Sequence, residues 1–119
     1  MGRYVDGYVL PLPKKNIEAY RKMATDAGKV WKDHGALDYV ECIAEDVKPG
    51  KVTSFPQAVK LEPDETVVFA WIVYESRAHR DRVNEAVMKD PRLAGMDAKN
   101  SPFDGMRMFW GGFDVFVEA

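Results

Sequence analysis

Three carboxylates stand near aromatic residues in segments whose composition favours β-strands. The carboxylates are Asp6, Glu41 and Asp114, and the aromatic residues two or four positions away are Tyr8, Tyr39 and Trp110. Regular alternation along a strand places each carboxylate on the same face as its aromatic neighbour, which would direct the three carboxylates into the interior of a barrel. Buried carboxylates need partners, so such groups bind a cation, act as bases or hold structural hydrogen bonds. Structural or water-filled placement is the default interpretation.

Acid–base chemistry at neutral pH adds a histidine to these groups, because histidine titrates in that range. His79 falls in the first turn of a predicted helix, within the segment SRAHRDR. The candidates for a catalytic role are therefore Asp6, His79 and Tyr8. The arginines on both sides of His79 favour a solvated face for it over a catalytic one. His34 precedes Gly35, and we expect it to stabilise a helix C-terminus.

Cys42 is the only cysteine of the chain, so no internal disulfide can form. This suits a reducing compartment, and we predict a cytoplasmic protein. With no base assigned beside it, we interpret Cys42 as a core residue. No HxH, CxxC or HExxH spacing is present, so the sequence predicts no metal site.

The hydrophobic periodicity predicts the element order βαββαβ. Strands are predicted at residues 3–10, 36–47, 65–76 and 106–117, and helices at residues 14–34 and 77–89. Pro11 and Pro13 are predicted to end the first strand, and residues 57–60 are a candidate short edge strand. This order predicts an α+β, ferredoxin-like fold, in which a four-stranded antiparallel sheet carries two helices on one face. We expect a single domain over residues 1–119.

Both faces of the predicted sheet are apolar, although two helices can cover only one of them. The set assigned to the uncovered face is Tyr4, Tyr8, Phe69, Trp71, Met108, Trp110 and Phe116. The set assigned to the helix side is Val5, Val9, Val68, Ile72, Phe109, Phe113, Val115 and Val117. An exposed aromatic face promotes aggregation. We therefore predict an obligate homodimer in which a second copy covers that face, and we expect Trp110→Asp to break it.

The glycine pair in MFWGGFDVF leaves space within an otherwise bulky strand. One interpretation is a ligand pocket beneath the helices. Its candidate lining is Gly7, Tyr20, Trp31, Cys42, Phe109, Gly111 and Phe113. The favoured alternative is that Tyr20 and Trp31 fill the space by close packing. A glycine bulge, which would switch the alternation beyond it, is a further alternative.

The charge balance argues against two classes of partner. The chain has 17 basic and 19 acidic residues, well mixed, and a net charge of -2. A general nucleic-acid or anionic-membrane surface needs a basic excess. No segment approaches the roughly 20 apolar residues of a membrane span, and the first residues lack the apolar run of a signal peptide. No phosphate loop or dinucleotide fingerprint appears. We therefore predict no nucleic-acid partner, no membrane association and no cofactor.

Four phrases of the chain resemble the small bacterial YbaA-like family, whose biochemical role is unknown. They are KVWKDHGALDYVECIAEDV, SFPQAVKL, ETVVFAWIVYESRAHRDRVNEAVMKDPRL and SPFDGMRMFWGGFDV. The resemblance implies the dimeric α/β-barrel superfamily, in which two ferredoxin-like sheets close into one barrel. That superfamily includes cofactor-free monooxygenases, haem-degrading enzymes, lactone isomerases, peroxidases and stress-related binding proteins. Ligands there often lie between the helices and the sheet, or near the dimer seam.

The haem-degrading relatives need an asparagine on the first strand and a histidine after the second helix. In this chain Asp6 or Gly7 takes the first place, and Met96 falls near the second. Both departures weigh against haem chemistry of that type.

The sequence thus predicts a cytoplasmic dimeric barrel protein that binds a small, mostly apolar molecule between its helices and its sheet. One alternative is a cofactor-independent enzyme of the monooxygenase or isomerase type. Another is a stress-related or interaction module without a ligand. A cavity with converging polar groups favours the first two interpretations, and a closed, well-filled core favours the third.

Overall fold

The computed structural model describes residues 2–94 and 101–119. Its elements, in chain order, are strand β1 (Tyr4–Pro13), a 3-10 turn (Lys14–Asn16), helix α1 (Ile17–Asp33), strand β2 (Asp38–Ile43), helix α2 (Phe55–Ala58), strand β3 (Glu65–Tyr74), helix α3 (Arg77–Met88), helix α4 (Pro91–Ala94) and strand β4 (Phe109–Asp114).

The four strands form one antiparallel sheet in the order β2-β3-β1-β4. The crossovers through α1 and α3 each skip one strand, which is the split βαβ arrangement. Core clusters join both helices to the same face of the sheet. The predicted α+β, ferredoxin-like fold is confirmed. No helix in the described part of the chain is long and apolar enough to cross a membrane.

Two local predictions about element bounds are wrong. β1 continues through Pro11 and Pro13, which pair with Val67 and Glu65 of β3. The partner β4 reaches only as far as Val9, so β1 has an open edge beyond that point, where a missing N–H is tolerated. Residues 57–60 form no strand, because the Ser54 side chain caps the short helix α2 instead.

The register between strands decides which side chains share a face. Tyr8 of β1 pairs with Ala70 of β3 and with Trp110 of β4. The even-numbered residues of β1, β3 and β4 therefore share the helix side, together with the odd-numbered residues of β2. The uncovered side, which we call the open face, carries Val5, Gly7, Val40, Phe69, Trp71, Phe109, Gly111 and Phe113.

The predicted grouping of seven residues on the uncovered face is therefore wrong. Tyr4, Tyr8 and Trp110 lie on the helix side, whereas Phe69 and Trp71 lie on the open face. Alternation sets the order within one strand, but only register sets the phase between two strands. The two residues of the group outside the strands also separate. Met108 packs against the cluster beneath α1, and Phe116 is 93% exposed beyond the end of β4.

The predicted helix-side set is also mixed. Val68 and Ile72 do lie under the helices, in the two core clusters there. Val5, Val9, Phe109 and Phe113 lie on the open face instead, and Val115 and Val117 follow the end of β4. The loop after β2 covers one end of the open face, where Val9, Val59 and Val67 form a third cluster. Phe55 of α2 packs edge-on against Phe69 of the open face, and neither α1 nor α3 lies over that face in the described part of the chain.

The glycine pair of β4 has two separate roles. Gly111 and Gly112 pair with Gly7 and Asp6 without interruption, so there is no bulge. A Cβ at Gly112 would overlap the phenol of Tyr4, so the glycine lets that ring lie across the strand. Gly111 lies on the open face opposite Gly7, and a Cβ at Gly7 would meet no atom within 4 Å.

Candidate functional site

A cavity of about 400 Å³ lies between α1 and the helix side of the sheet. Volumes of this size are typical of small-molecule sites, which are mostly apolar with a few placed polar groups. Its apolar walls come from α1, from the sheet and from the segment before β4. The principal lining residues are Tyr8, Leu10, Tyr20, Met23, Ala24, Ala27, Trp31, Tyr39, Glu41, Ala70, Ile72, Met88, Leu93, Phe103 and Met108.

Glu41 is the charged group of this cavity. Its side chain points to the helix side from β2, opposite the small residue Ala70. The hydroxyl of Tyr20 on α1 donates to Oε1 at 2.7 Å, and the hydroxyl of Tyr39 on β2 donates to Oε2 at 2.9 Å. Each of the two side-chain oxygens of Glu41 therefore accepts one hydrogen bond. We call Tyr20, Tyr39 and Glu41 the Glu41 cluster.

The two tyrosines of the Glu41 cluster act as neutral donors. Burial raises the pKa of Tyr20 far above its ordinary value, and the negative charge of Glu41 raises it further. The same two causes raise the pKa of Tyr39. Each phenol therefore keeps its proton at neutral pH.

An outer groove of about 570 Å³ lies on the other side of the Glu41 cluster, between α1 and the edge strand β2. It shares Tyr20, Ala24, Tyr39 and Glu41 with the inner cavity. The basic side chains along it belong to α1 and are Arg21, Lys29 and Lys32. The Glu41 cluster thus stands between an apolar inner cavity and an outer groove with a basic rim.

Gly28 lets α1 approach the Glu41 cluster closely. A Cβ at this position would lie 2.8 Å from Cδ1 of Tyr39, well inside ordinary carbon contact. The glycine is therefore required by the position of the Tyr39 ring.

Gly28→Ala is expected to lower the free energy of unfolding, by up to about 2 kcal/mol. Alanine improves helix propensity by about 1 kcal/mol, but overpacking costs about 1–3 kcal/mol. Urea denaturation measures the change. Ala19→Gly, on the exposed side of α1, measures the difference in helix propensity between alanine and glycine in the same helix, without a change in packing. If Gly28→Ala stabilised the protein by the full propensity term, the Tyr39 ring would not be held against α1.

Asp6, the first catalytic candidate, is tied to α3. Its side chain is fully buried, and Oδ1 accepts from Nη1 of Arg80 at 2.6 Å. Arg80 also lies over the ring of Tyr4, with Cζ 5.0 Å from the ring centre. The second oxygen of Asp6 has no hydrogen-bond partner among the described residues. Burial raises the pKa of Asp6, and the charge of Arg80 partly offsets this.

Asn84 of α3 joins Trp31 on the wall of the cavity to Tyr74 of β3. Its Oδ1 accepts from Nε1 of Trp31 at 3.1 Å and from the hydroxyl of Tyr74 at 3.2 Å. Trp31 lines the inner cavity, so its orientation is fixed from the α3 side.

The other two catalytic candidates do not join Asp6 in one site. Nδ1 of His79 accepts the backbone N–H of Glu75 at 3.0 Å, so this histidine holds the first turn of α3. Tyr8 lines the inner cavity and stacks on Trp110, with ring centres 6.0 Å apart. His34 lies at the C-terminus of α1, as expected, and contacts Asp90 at 2.8 Å.

The predicted pocket residues separate into two groups. Tyr20 and Trp31 line the inner cavity, and Cys42 contributes to the outer groove. Gly7, Phe109, Gly111 and Phe113 lie on the open face, and this part of the prediction is wrong because the register reverses their side.

The three predicted carboxylates share a face with their aromatic neighbours, but it is the helix side, so their predicted placement in the interior of a barrel is wrong. Glu41 enters the cavity, Asp6 lies buried beside α3, and Asp114 is exposed at the end of β4. The described residues contain no group of three metal-ligating side chains. Met96 lies outside the described residues.

Comparison with known protein families matches residues 3–105 to the family described as "Protein of unknown function (DUF1428)". The chain is 47% identical over 116 residues to "Uncharacterized protein YbaA" of Escherichia coli (strain K12). A protein of the same description from Shigella flexneri has the same identity, and each match covers 98% of both chains.

Two solved structures resemble the fold. A NIPSNAP family protein with unknown function from Agrobacterium tumefaciens matches with a TM-score of 0.60 and 15% identity, covering 96% of this chain and 88% of that one. An uncharacterized NIPSNAP domain protein from Burkholderia xenovorans matches with a TM-score of 0.57 and 12% identity, covering 98% and 97%. At these identities the likeness supports the fold alone.

Proposed function

The chain belongs to the DUF1428 family of unknown function, and from that premise we propose that it binds a small, mostly apolar molecule in the inner cavity. The observation that carries this proposal is the combination of a cavity of about 400 Å³ with one polar cluster on its wall. A site of this kind uses its apolar walls for affinity and its few polar groups for orientation.

The cavity supports binding over the alternative of a module without a ligand, because the space under α1 is not filled by Tyr20 and Trp31. The enzyme alternative has less support. Of the three catalytic candidates only Tyr8 reaches the cavity, and burial together with the charge of Asp6 raises its pKa. A phenol that holds its proton so firmly is a poor general base near neutral pH.

Filling the cavity is expected to abolish binding. In Ala27→Phe, a ring replaces a buried methyl group that lines the cavity on α1. We expect the neutral apolar dye N-phenylnaphthylamine to gain fluorescence with the native protein. The affinity for the dye should fall at least about tenfold in the variant, because the ring occupies the space for the ligand.

Ala19→Phe is the matched control, since Ala19 is exposed on the same helix. It should leave dye binding unchanged. Native mass spectrometry of the purified protein tests for a retained molecule in parallel. Dye binding that is equal in the native protein and in Ala27→Phe would contradict the proposal, provided that thermal unfolding shows the variant to be folded.

We also propose that two copies pack through their open faces. Phe69, Phe109 and Phe113 are 43%, 46% and 65% exposed there, and Trp71 lies beside Phe69 on β3, with ring centres 5.6 Å apart. A large aromatic side chain buries about 150–250 Å² when covered. Covering this face therefore removes several hundred Å² of apolar surface per subunit from water, on the order of what a stable interface needs.

The proposed homodimer is placed in the cytoplasm, where a single free thiol such as Cys42 remains reduced. A two-fold contact of this kind brings each open face against its own copy, so the interface must be self-complementary. Gly7 and Gly111 pair with each other and place no side chain on the open face, which leaves room for a bulky side chain of the other copy.

A further inference from the structure

We infer that the molecule held in the inner cavity is an amine with an apolar body, and that its ammonium group binds the Glu41 cluster. This inference rests on the proposed function and names the ligand class of the same site. Neutral hydroxyl compounds are expected to be weaker ligands, and carboxylates the weakest of the three.

The charges around the cavity point to a cation. Glu41 is the only charged side chain among the described residues that line it. The described ion pairs of the chain include none to Glu41. A carboxylate facing an apolar space without a cation lacks the partner that such a group normally has. An ammonium group supplies that partner and up to three N–H donors.

The hydrogen-bond geometry leaves capacity for this ligand. Two carboxylate oxygens offer about four acceptor positions. The hydroxyls of Tyr20 and Tyr39 occupy one on each oxygen. Burial raises the pKa of both phenols, so each keeps its single proton, and that proton is donated to Glu41. The remaining positions on Glu41 are therefore available to a donor.

The basic side chains nearby do not line the inner cavity. Arg21, Lys29 and Lys32 line only the outer groove. Arg21 is engaged with Glu18 at 3.1 Å, and Nζ of Lys32 donates to the carbonyl of Leu37 at 2.8 Å. An anionic ligand in the inner cavity would therefore face the charge of Glu41 before it met any cation.

The rest of the lining fits an apolar body. Met23 and Ala27 of α1, Ile72 of β3, and Phe103 and Met108 of the segment before β4 surround the space beyond the Glu41 cluster. Methionine and aromatic side chains accommodate varied apolar shapes, since the thioether chain is flexible and the rings present flat surfaces.

The test uses three compounds with one body and different ends: phenylbutylamine, phenylbutanol and phenylbutyrate. Isothermal titration calorimetry at neutral pH measures each with the native protein. We expect the amine to bind at least about tenfold more tightly than the carboxylate, because the carboxylate carries the same charge as Glu41. The alcohol should lie between them, because hydrogen bonds to charged groups are stronger when the donor is charged than when it is neutral.

Glu41→Gln keeps the shape of the side chain and removes its charge. The amine should lose about tenfold in affinity in this variant, whereas the alcohol should change by no more than about threefold. Glu45→Gln, which removes an exposed charge nearby in the chain, should leave the order of the three compounds unchanged. If Glu41→Gln fails to fold, the relative affinities of the three compounds for the native protein still test the amine assignment.

The outcomes separate this inference from the proposed function. Equal affinities for all three compounds, or tightest binding of the carboxylate, would overturn the amine assignment. If that binding disappeared in Ala27→Phe, the cavity would still be the ligand site. Absence of binding by all three compounds and by N-phenylnaphthylamine would overturn both.

Discussion

Arg80→Met is expected to lower the free energy of unfolding by about 3–5 kcal/mol at neutral pH, which is the usual effect of removing one partner of a buried ion pair. Asp6 is fully buried, and the side chain of Arg80 is only 11% exposed. Methionine keeps much of the apolar packing over Tyr4 but removes the cation. Asp6 then has to stay charged without a partner, or take up a proton.

The loss should depend on pH, with a sign that follows from the pKa of Asp6. Burial already raises that pKa above its ordinary value of 3.8, and Arg80 opposes the rise. Without Arg80 the folded-state pKa rises further. A carboxyl group whose pKa is higher in the folded than in the unfolded protein contributes its full stabilisation at a pH below the unfolded-state pKa. That stabilisation is lost as the pH rises through the folded-state pKa. Arg80→Met should therefore regain stability relative to the native protein as the pH falls from neutral toward 3.8.

Urea denaturation of both proteins at about pH 7 and about pH 5 measures this difference. Arg82→Met is the matched control, because Arg82 is an exposed arginine of the same helix. The double variant Asp6→Asn/Arg80→Met should recover much of the lost stability, since neither charge then remains. A loss under about 1 kcal/mol in Arg80→Met at neutral pH would show that the buried pair contributes little.

The sequence predicted the architecture well because hydrophobic periodicity is a local property. The β-favouring residues of YVDGYVL and the continuous apolar run VVFAWIVY predict strands, and the spacing of Tyr20, Ala24, Ala27 and Trp31 predicts a helix with one buried side. The order of these elements then permits few topologies. The error at the end of β1 came from a non-local partner. The prolines of β1 are tolerated because β4 is short, which no local pattern reveals.

The candidate site could be predicted only in part. The spacing of Tyr39 and Glu41 placed both on one face of a strand, and Tyr20 was correctly expected beneath the helices. The contact from Tyr20 to Glu41 spans 21 positions in the chain and depends on how α1 lies across β2. Gly28 was a usable signal, because a glycine within a helix often marks close approach of another element. The pairing of Asp6 with Arg80 spans 74 positions and left no local trace.

The assignment of faces failed for one physical reason, and that failure reverses a prediction. The phase of β3 relative to β1 is fixed by the pairing of Tyr8 with Ala70, not by the aromatic content of either strand. Trp110, which the sequence placed in the dimer seam, lies on the helix side and stacks on Tyr8. Phe113, which the sequence placed under the helices, is 65% exposed on the open face.

Phe113→Asp is therefore expected to dissociate the proposed dimer. The two-fold contact places the new carboxylate against apolar surface in both subunits at once. An uncompensated buried charge costs about 3–5 kcal/mol, so the dimer dissociation constant should rise by about two to four orders of magnitude. Sedimentation velocity over a concentration series measures this rise. The monomer should stay folded, because a substitution at an exposed position usually changes unfolding by no more than about 0.5 kcal/mol.

Trp110→Asp provides the decisive comparison, because it adds the same charge to the same strand on the opposite face. Trp110 is 55% exposed at the edge of the sheet, so its carboxylate would meet water instead of a second subunit. This variant should lose the contact with Tyr8 and keep the dimer. Dissociation by Trp110→Asp but not by Phe113→Asp would place the interface on the helix side. A native protein that is monomeric at all concentrations would remove the open face as an interface and leave Phe69, Phe109 and Phe113 facing water.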